Sequence, residues 1–351
     1  MVIDENKAVH PEECDKVVDD RAGDTSQRCG NSPAFHFSAA FTDPANPPDI
    51  LSNKELAARA LRRGVTGDAK SVEFIIGKVG YRNLLKFCTA IEKRVSPEVV
   101  SASNAMVLIE FDKSMQAILL RGIGMLELQF RCAYARLVAD ELGAFAHRHP
   151  DNFKNEKHFE EFLDSYGREL GYKAAGDHRL AGMISRYGDL PVWEAVGIIP
   201  LGTLSKLYRD TRSSAVRYGV ADSFGVKHEF LVSWLRTICE IRNRCAHFDD
   251  VCITPLKCRP KKIPGIKASN EFIPYACIVI ERLIESGKTI IDDDVEGIHY
   301  SSFAEELIRI ANSAPRPVMQ AAGFPPEWPT LLSKASGLME ITQHIERVPR
   351  M

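Results

Sequence analysis

From Asn104 to about Leu142 the residues Leu108, Phe111, Met115, Ile118, Leu119, Gly122, Met125, Leu126 and Ala133 recur every three or four positions. That is the period of an apolar stripe on one face of a helix. The run is too long and too regular for any other element. No other segment alternates with the two-residue period of a strand, and no internal repeat is evident. The fold class read from the sequence is therefore all-α.

Shorter helices surround this one. Ser52 or Asn53 caps a helix through Arg63, with Gly64 as its stop. A helix over about 71–79 leads through Gly80-Tyr81-Arg82-Asn83 into another ending near Val95. Helices follow near 156–170 and 177–187, with glycine-containing breaks between them. Pro191, Gly197 and Pro200 mark a loop holding Trp193 and Glu194, and Thr203 caps a helix to about Arg212. An apolar stripe from Leu231 to Cys245 predicts a helix over about 229–246. Thr254 to Lys267 carries three prolines and five basic residues, as an exposed loop would. Helices at about 271–285 and 302–313 complete the set. The predicted organisation is a disordered leader over 1–48, rich in Asp, Pro, Ser and Gly, a helical region over 49–100, a helical core over 101–315 and a loosely attached tail over 316–351.

A net charge of −2, with 26% charged residues, generates no global field for nucleic acid or membranes, so any RNA contact must be local. The polar, acidic N-terminus does not read as a signal peptide and no apolar run is long enough to span a bilayer, which makes the cytoplasm the expected compartment. The nine cysteines lack a CxxC pair. Cys245, His247, Cys252 and Cys258 do not have the spacing of common zinc knuckles, so neither a disulfide framework nor a metal is expected.

Chemistry concentrates in Glu240-Ile241-Arg242-Asn243-Arg244-Cys245-Ala246-His247. Arg242 falls at the edge of the helix's buried face, with Glu127 as a candidate partner. Asn243 and His247 lie about 40° apart around the axis, so the amide can orient the imidazole. Arg242 and His247 are about 140° apart, so one straight helix does not aim both at one phosphate. Either the helix loosens before His247, or two copies meet across a two-fold axis, the favoured alternative. RNA carries its own nucleophile, the 2′-OH. A histidine can take its proton or protonate the leaving 5′-oxygen, and an arginine can neutralise the phosphorane, with no cofactor.

Arg242-Asn243-Arg244-Cys245-Ala246-His247 resembles the R-N-x-C-A-H signature of the Abi-like (abortive infection) proteins, a branch of the HEPN ribonuclease superfamily. Ile109-Glu110-Phe111-Asp112-Lys113 resembles the family's Y-x-F-D-R helix start. The stretch Arg121 to Arg131, Val192-Trp193-Glu194, Gly202 to Tyr208 and Gly323-Phe324-Pro325-Pro326-Glu327-Trp328 resemble further blocks, in order, over about residues 50–330. The resemblance implies a HEPN-type helical bundle, a homodimer, endoribonuclease activity, and a role in phage defence or as a toxin restrained by an RNA or protein antitoxin. By the same resemblance Arg242 and His247 are catalytic, with Asn243 assisting and Glu127 and Arg131 supporting from the opposing helix.

Two departures bear on this expectation. Phe248-Asp249-Asp250 follows the histidine where basic or aromatic residues are usual, and these carboxylates either repel RNA or stabilise the His247 cation. Asn83-Leu84-Leu85 also departs from the family's N-terminal block. A non-catalytic module that binds RNA or protein through the same groove is the rival reading. Arg244 and the nearby Lys257, Arg259, Lys261 and Lys262 are candidate RNA-backbone contacts, weighed against an ordinary solvated loop. His147 and His149 are expected at the surface, Trp193 as a packing anchor, and Gly122 and Gly124 at close helix contacts.

Overall fold

The computed structural model describes residues 50–288 and 303–336. The leader over 1–48 and the end of the tail lie outside the described residues. Within them the fold is all-α: fourteen α-helices, three short 3-10 turns, and two isolated β-bridges in place of any strand. No described helix is long and apolar enough to cross a membrane.

The chain begins with α1 (Asn53–Arg62), whose start is a capping box between Ser52 and Glu55, then α2 (Ala69–Val79) and α3 (Tyr81–Arg94). The long periodic run is α4 (Ala102–Leu142), 41 residues with Ser101 as its N-cap. Twelve of residues 102–123 are buried, against five of residues 124–142 (Leu126, Phe130, Tyr134, Ala135 and Val138), so its first half is the more fully enclosed. Helix α3 packs on it, as do α7 (Val192–Ile198), α9 (Ser214–Asp222), α10 (His228–Ala246), α11 (Ile273–Lys288) and α12 (Phe303–Ser313). Between them run α5 (Glu156–Gly176), α6 (His178–Tyr187) and α8 (Leu201–Asp210). One connected hydrophobic core joins these helices.

Several local expectations are corrected. The stretch read as a loop at Pro191 is α7, and Trp193 on it is half exposed, not a packing anchor. Helix α8 starts after Pro200 with no side-chain cap, so Thr203 lies inside it. The expected tail contributes α13 (Arg316–Ala321) and α14 (Trp328–Ser336). Phe324 and Trp328 between and within them are buried, and Phe324 packs edge-on against Phe111 of α4 at 5.7 Å. That aromatic contact draws the segment into the core. Gly122 does mark a close approach, since a Cβ there would stand 2.7 Å from the Phe303 ring, whereas Gly124 faces open space. His147 is buried, contrary to its expected place at the surface.

Candidate functional site

Helix α10 buries Leu231, Trp234, Leu235, Ile238, Ile241 and Cys245, the predicted stripe. The same helix turn sorts its two arginines into different environments. Arg244 is 8% exposed. Its guanidinium pairs with Glu240 and donates to the Thr254 and Pro255 carbonyls at 3.0 and 2.7 Å. Glu240 in turn accepts the Lys257 and Cys258 amides at 3.0 and 2.7 Å. Arg244 thus fastens the segment after the motif, and its donors face inward and not toward solvent as expected of a backbone contact.

Arg242 is half-buried and donates to Asn243 Oδ1 at 3.3 Å. Among the described residues no carboxylate forms an ion pair with it. Glu127, its expected partner, pairs with Arg131 one turn along α4. Arg131 also donates to the carbonyls of Val196 and Ile199, the latter at 2.7 Å, and so ties α4 to the end of α7. Burial pushes the Cys239 thiol up to about 12, its hydrogen bond to Ser205 Oγ opposes the rise, and Glu127 and Arg242 act on it in opposite senses. Asn243 is exposed and its side-chain oxygen engages Arg242 and not the imidazole of His247.

The helix ends at Ala246, and His247 is its exposed C-cap at φ −96°, ψ 5°. Helical geometry therefore stops one residue before the imidazole. Phe248 then turns to φ +58°, donating to Cys245 O at 3.1 Å, while Asp249 N–H reaches Arg244 O at 2.8 Å. These two bonds form a Schellman motif, whose left-handed residue is ordinarily glycine. A bulky side chain there costs about 1–2 kcal/mol.

Helix α4 holds the far side of this turn. Lys113 Nζ donates to Phe248 O at 2.8 Å, and Gln116 Nε2 to Asp249 O at 2.7 Å. Asp112, fully buried, accepts the Val251 and Cys252 amides at 2.9 and 2.7 Å and the Gln116 amide at 2.7 Å. Burial pushes the Asp112 carboxyl above the ordinary range in spite of these bonds. Arg94 of α3 adds bonds to the Cys252, Ile253 and Ala321 carbonyls. Asp250 turns inward onto Lys86 and Thr254. Burial alone would raise its carboxyl, but the Lys86 and Thr254 bonds outweigh that and hold it below the usual carboxylate range. Of the two carboxylates after the histidine, only Asp249 is exposed. The anchors Arg94 and Lys86 carried no sequence signal; Asp112 had one, in the block at 109–113.

The basic segment does not gather at His247. It runs back along α10: Thr237 Oγ1 donates to Cys258 O at 2.8 Å and Trp234 Nε1 to Lys261 O at 2.8 Å. Trp234 lies about 20 Å before His247 along the helix at 1.5 Å per residue. Arg259 pairs with Glu271, and Lys261 lies over the Phe230 ring at 5.9 Å. Lys257 and Lys262 are exposed. Among the described residues no group of three or more His, Cys, Asp or Glu is placed to hold a metal ion.

The end of α10 therefore presents a guanidinium without a carboxylate partner, an exposed amide and an exposed imidazole on a turn fixed from three sides. Such groups can move a proton and neutralise a phosphate. A family model described as Abi-like protein matches residues 75–252, from within α2 through the segment anchored by Asp112. No curated protein and no solved structure matches the chain.

Proposed function

This chain belongs to the Abi-like protein family, which points to abortive infection, and on that premise we propose that it is a metal-independent endoribonuclease. In this reading His247 withdraws the 2′-OH proton or protonates the leaving 5′-oxygen. Arg242, held by Asn243, neutralises the charge gathering on the phosphorane. The products are a 2′,3′-cyclic phosphate and a 5′-hydroxyl. Cleaving RNA on infection stops growth of the host cell, and an RNA or protein antitoxin is the restraint that such an activity calls for.

The observation that carries the proposal is the contrast between neighbouring arginines. Arg244 spends its donors inside the fold, while Arg242 and His247 are left without acidic partners at one helix end. A homodimer of HEPN type would bring two such ends together. The exposed Leu120, Met125 and Leu128 of α4 support this arrangement, because they are apolar side chains that the fold leaves uncovered.

Purified wild type, Arg242→Ala and His247→Ala, incubated with total RNA in excess EDTA, test the chemistry. Cleavage by wild type alone, leaving cyclic phosphate ends, is the expected result. Light scattering tests the dimer, with Leu128→Glu expected to yield monomer. The exposed Asp249 favours a second reading, a non-catalytic module, and intact RNA bound equally by all three proteins would establish it.

A further inference from the structure

Phe248 has no role in the core or in the proposed chemistry. Its ring is 76% exposed and its backbone lies in the left-handed region. Among the described residues it is the one non-glycine residue with positive φ. Glycine would fill this helix-ending position without strain. A phenylalanine there is unfavourable twice over, through its backbone and through its solvated ring. Yet the turn is held by its own two main-chain bonds and by Lys113 and Gln116 from α4. The ring thus projects from a fixed base one residue after His247, with the half-exposed Lys113 ammonium on its own carbonyl.

We propose that Phe248 is a stacking platform for an unpaired nucleobase of single-stranded RNA beside the scissile phosphate. This rests on the ribonuclease reading above and adds the element that seats the substrate. Unpaired bases offer a π-face to an aromatic side chain, and stacking is tolerant of base identity. Lys113 and Arg242 supply the cations that a phosphate backbone requires. A protein partner is the poorer match, because apolar anchors at such interfaces sit within wider apolar patches. The two residues flanking Phe248 in the chain, His247 and Asp249, are exposed and polar. Recognition by stacking carries no hydrogen-bond code, so cleavage would follow single-strandedness more than sequence.

The test uses the full chain carrying His247→Ala, so that RNA is bound without being cut. The probes are a short fluorescein-labelled oligoadenylate RNA and the same oligomer with one abasic position at a time. Adding Phe248→Gly should weaken binding of the intact oligomer by roughly 5- to 100-fold, while Phe248→Trp retains it. One abasic position should reproduce the loss, and should cost nothing further in the glycine variant. Glycine suits the turn, so its melting temperature should match or exceed the parent's, which separates this loss from misfolding. RNA binding unchanged by Phe248→Gly would overturn the stacking role and leave the ribonuclease reading standing. Absence of RNA binding by every variant would overturn both. A glycine variant that loses RNA binding together with a change of mass in light scattering would assign Phe248 to a protein interface, and overturn the proposal.

Discussion

Asp112 accepts the main-chain N–H of Cys252 at 2.7 Å, joining two residues 140 positions apart. Through this bond the first third of the longest helix fixes the chain that follows His247. The acceptor is fully buried, so its partners cannot turn to water instead.

Asp112→Ala strands the Val251 and Cys252 amides and the Gln116 side chain. Unmet buried donors cost about 1–3 kcal/mol each, and the structure relaxes in part, so a loss of about 2–5 kcal/mol is expected. Asp112→Asn, which keeps one acceptor oxygen, should lose less. Urea unfolding of the three proteins measures the order, and wild-type stability in the alanine variant would mean that Arg94 and Lys86 hold the turn without it.

The two arginines of the motif should separate stability from function. Arg244→Ala leaves the largely enclosed Glu240 without its cation and should destabilise the fold by about 2–4 kcal/mol. Arg242→Ala breaks one hydrogen bond near the surface and should stay within about 1 kcal/mol of wild type, while abolishing the proposed cleavage. Denaturation and RNA cleavage on the same preparations decide the matter. A stable Arg244→Ala would contradict its structural assignment.

His147 sets an expected acid sensitivity. Burial pushes its imidazole down from the ordinary 6.5 to about 4, a shift that Asp189 opposes and Arg148 and His149 reinforce. Neither ring nitrogen has a hydrogen-bond partner among the described residues. The unfolded chain therefore takes up the proton first, and stability falls as pH drops through the window from about 6.5 to 4, by up to about 3 kcal/mol. His147→Phe should flatten that fall. Urea midpoints at several pH values across the window would show it, and parallel curves for the two proteins would refute it.

Two glycines two residues apart on α4 should respond with opposite signs. A Cβ at Gly122 meets the Phe303 ring at 2.7 Å, so Gly122→Ala should cost about 1–3 kcal/mol by overpacking. Gly124 meets nothing, and Gly124→Ala should stabilise by about 0.5–1 kcal/mol through helix propensity. Thermal melts resolve both, and equal effects would mean that α12 yields at the contact.

Much of the helical layout was legible because it depends on local periods. The stripe on α4, the Ser52 cap and the apolar face of α10 all lie within a few turns of sequence. The expectations that were corrected depend on partners far away. Short α7 was hidden by the prolines and glycine around it. The packing of the tail was not legible because Phe324 meets Phe111 of the distant α4, and Trp328 in turn packs on Phe324. His147 looked like a surface residue because its polar neighbours conceal the packing of Phe162 and Tyr166 around it.

At the motif, sequence alone determined the helix, its buried stripe and the presence of Arg242, Asn243 and His247 at one end, since residues near in the chain share a helix by geometry alone. Tertiary structure decided which groups are free to act. It buried Arg244 against Glu240, turned Asp250 onto Lys86 and led the basic segment away along α10. It also held Phe248 in a left-handed turn from α4. Each depends on a contact between distant residues, where burial and pairing, not spacing, settle whether a charge or a ring faces the protein or the solvent.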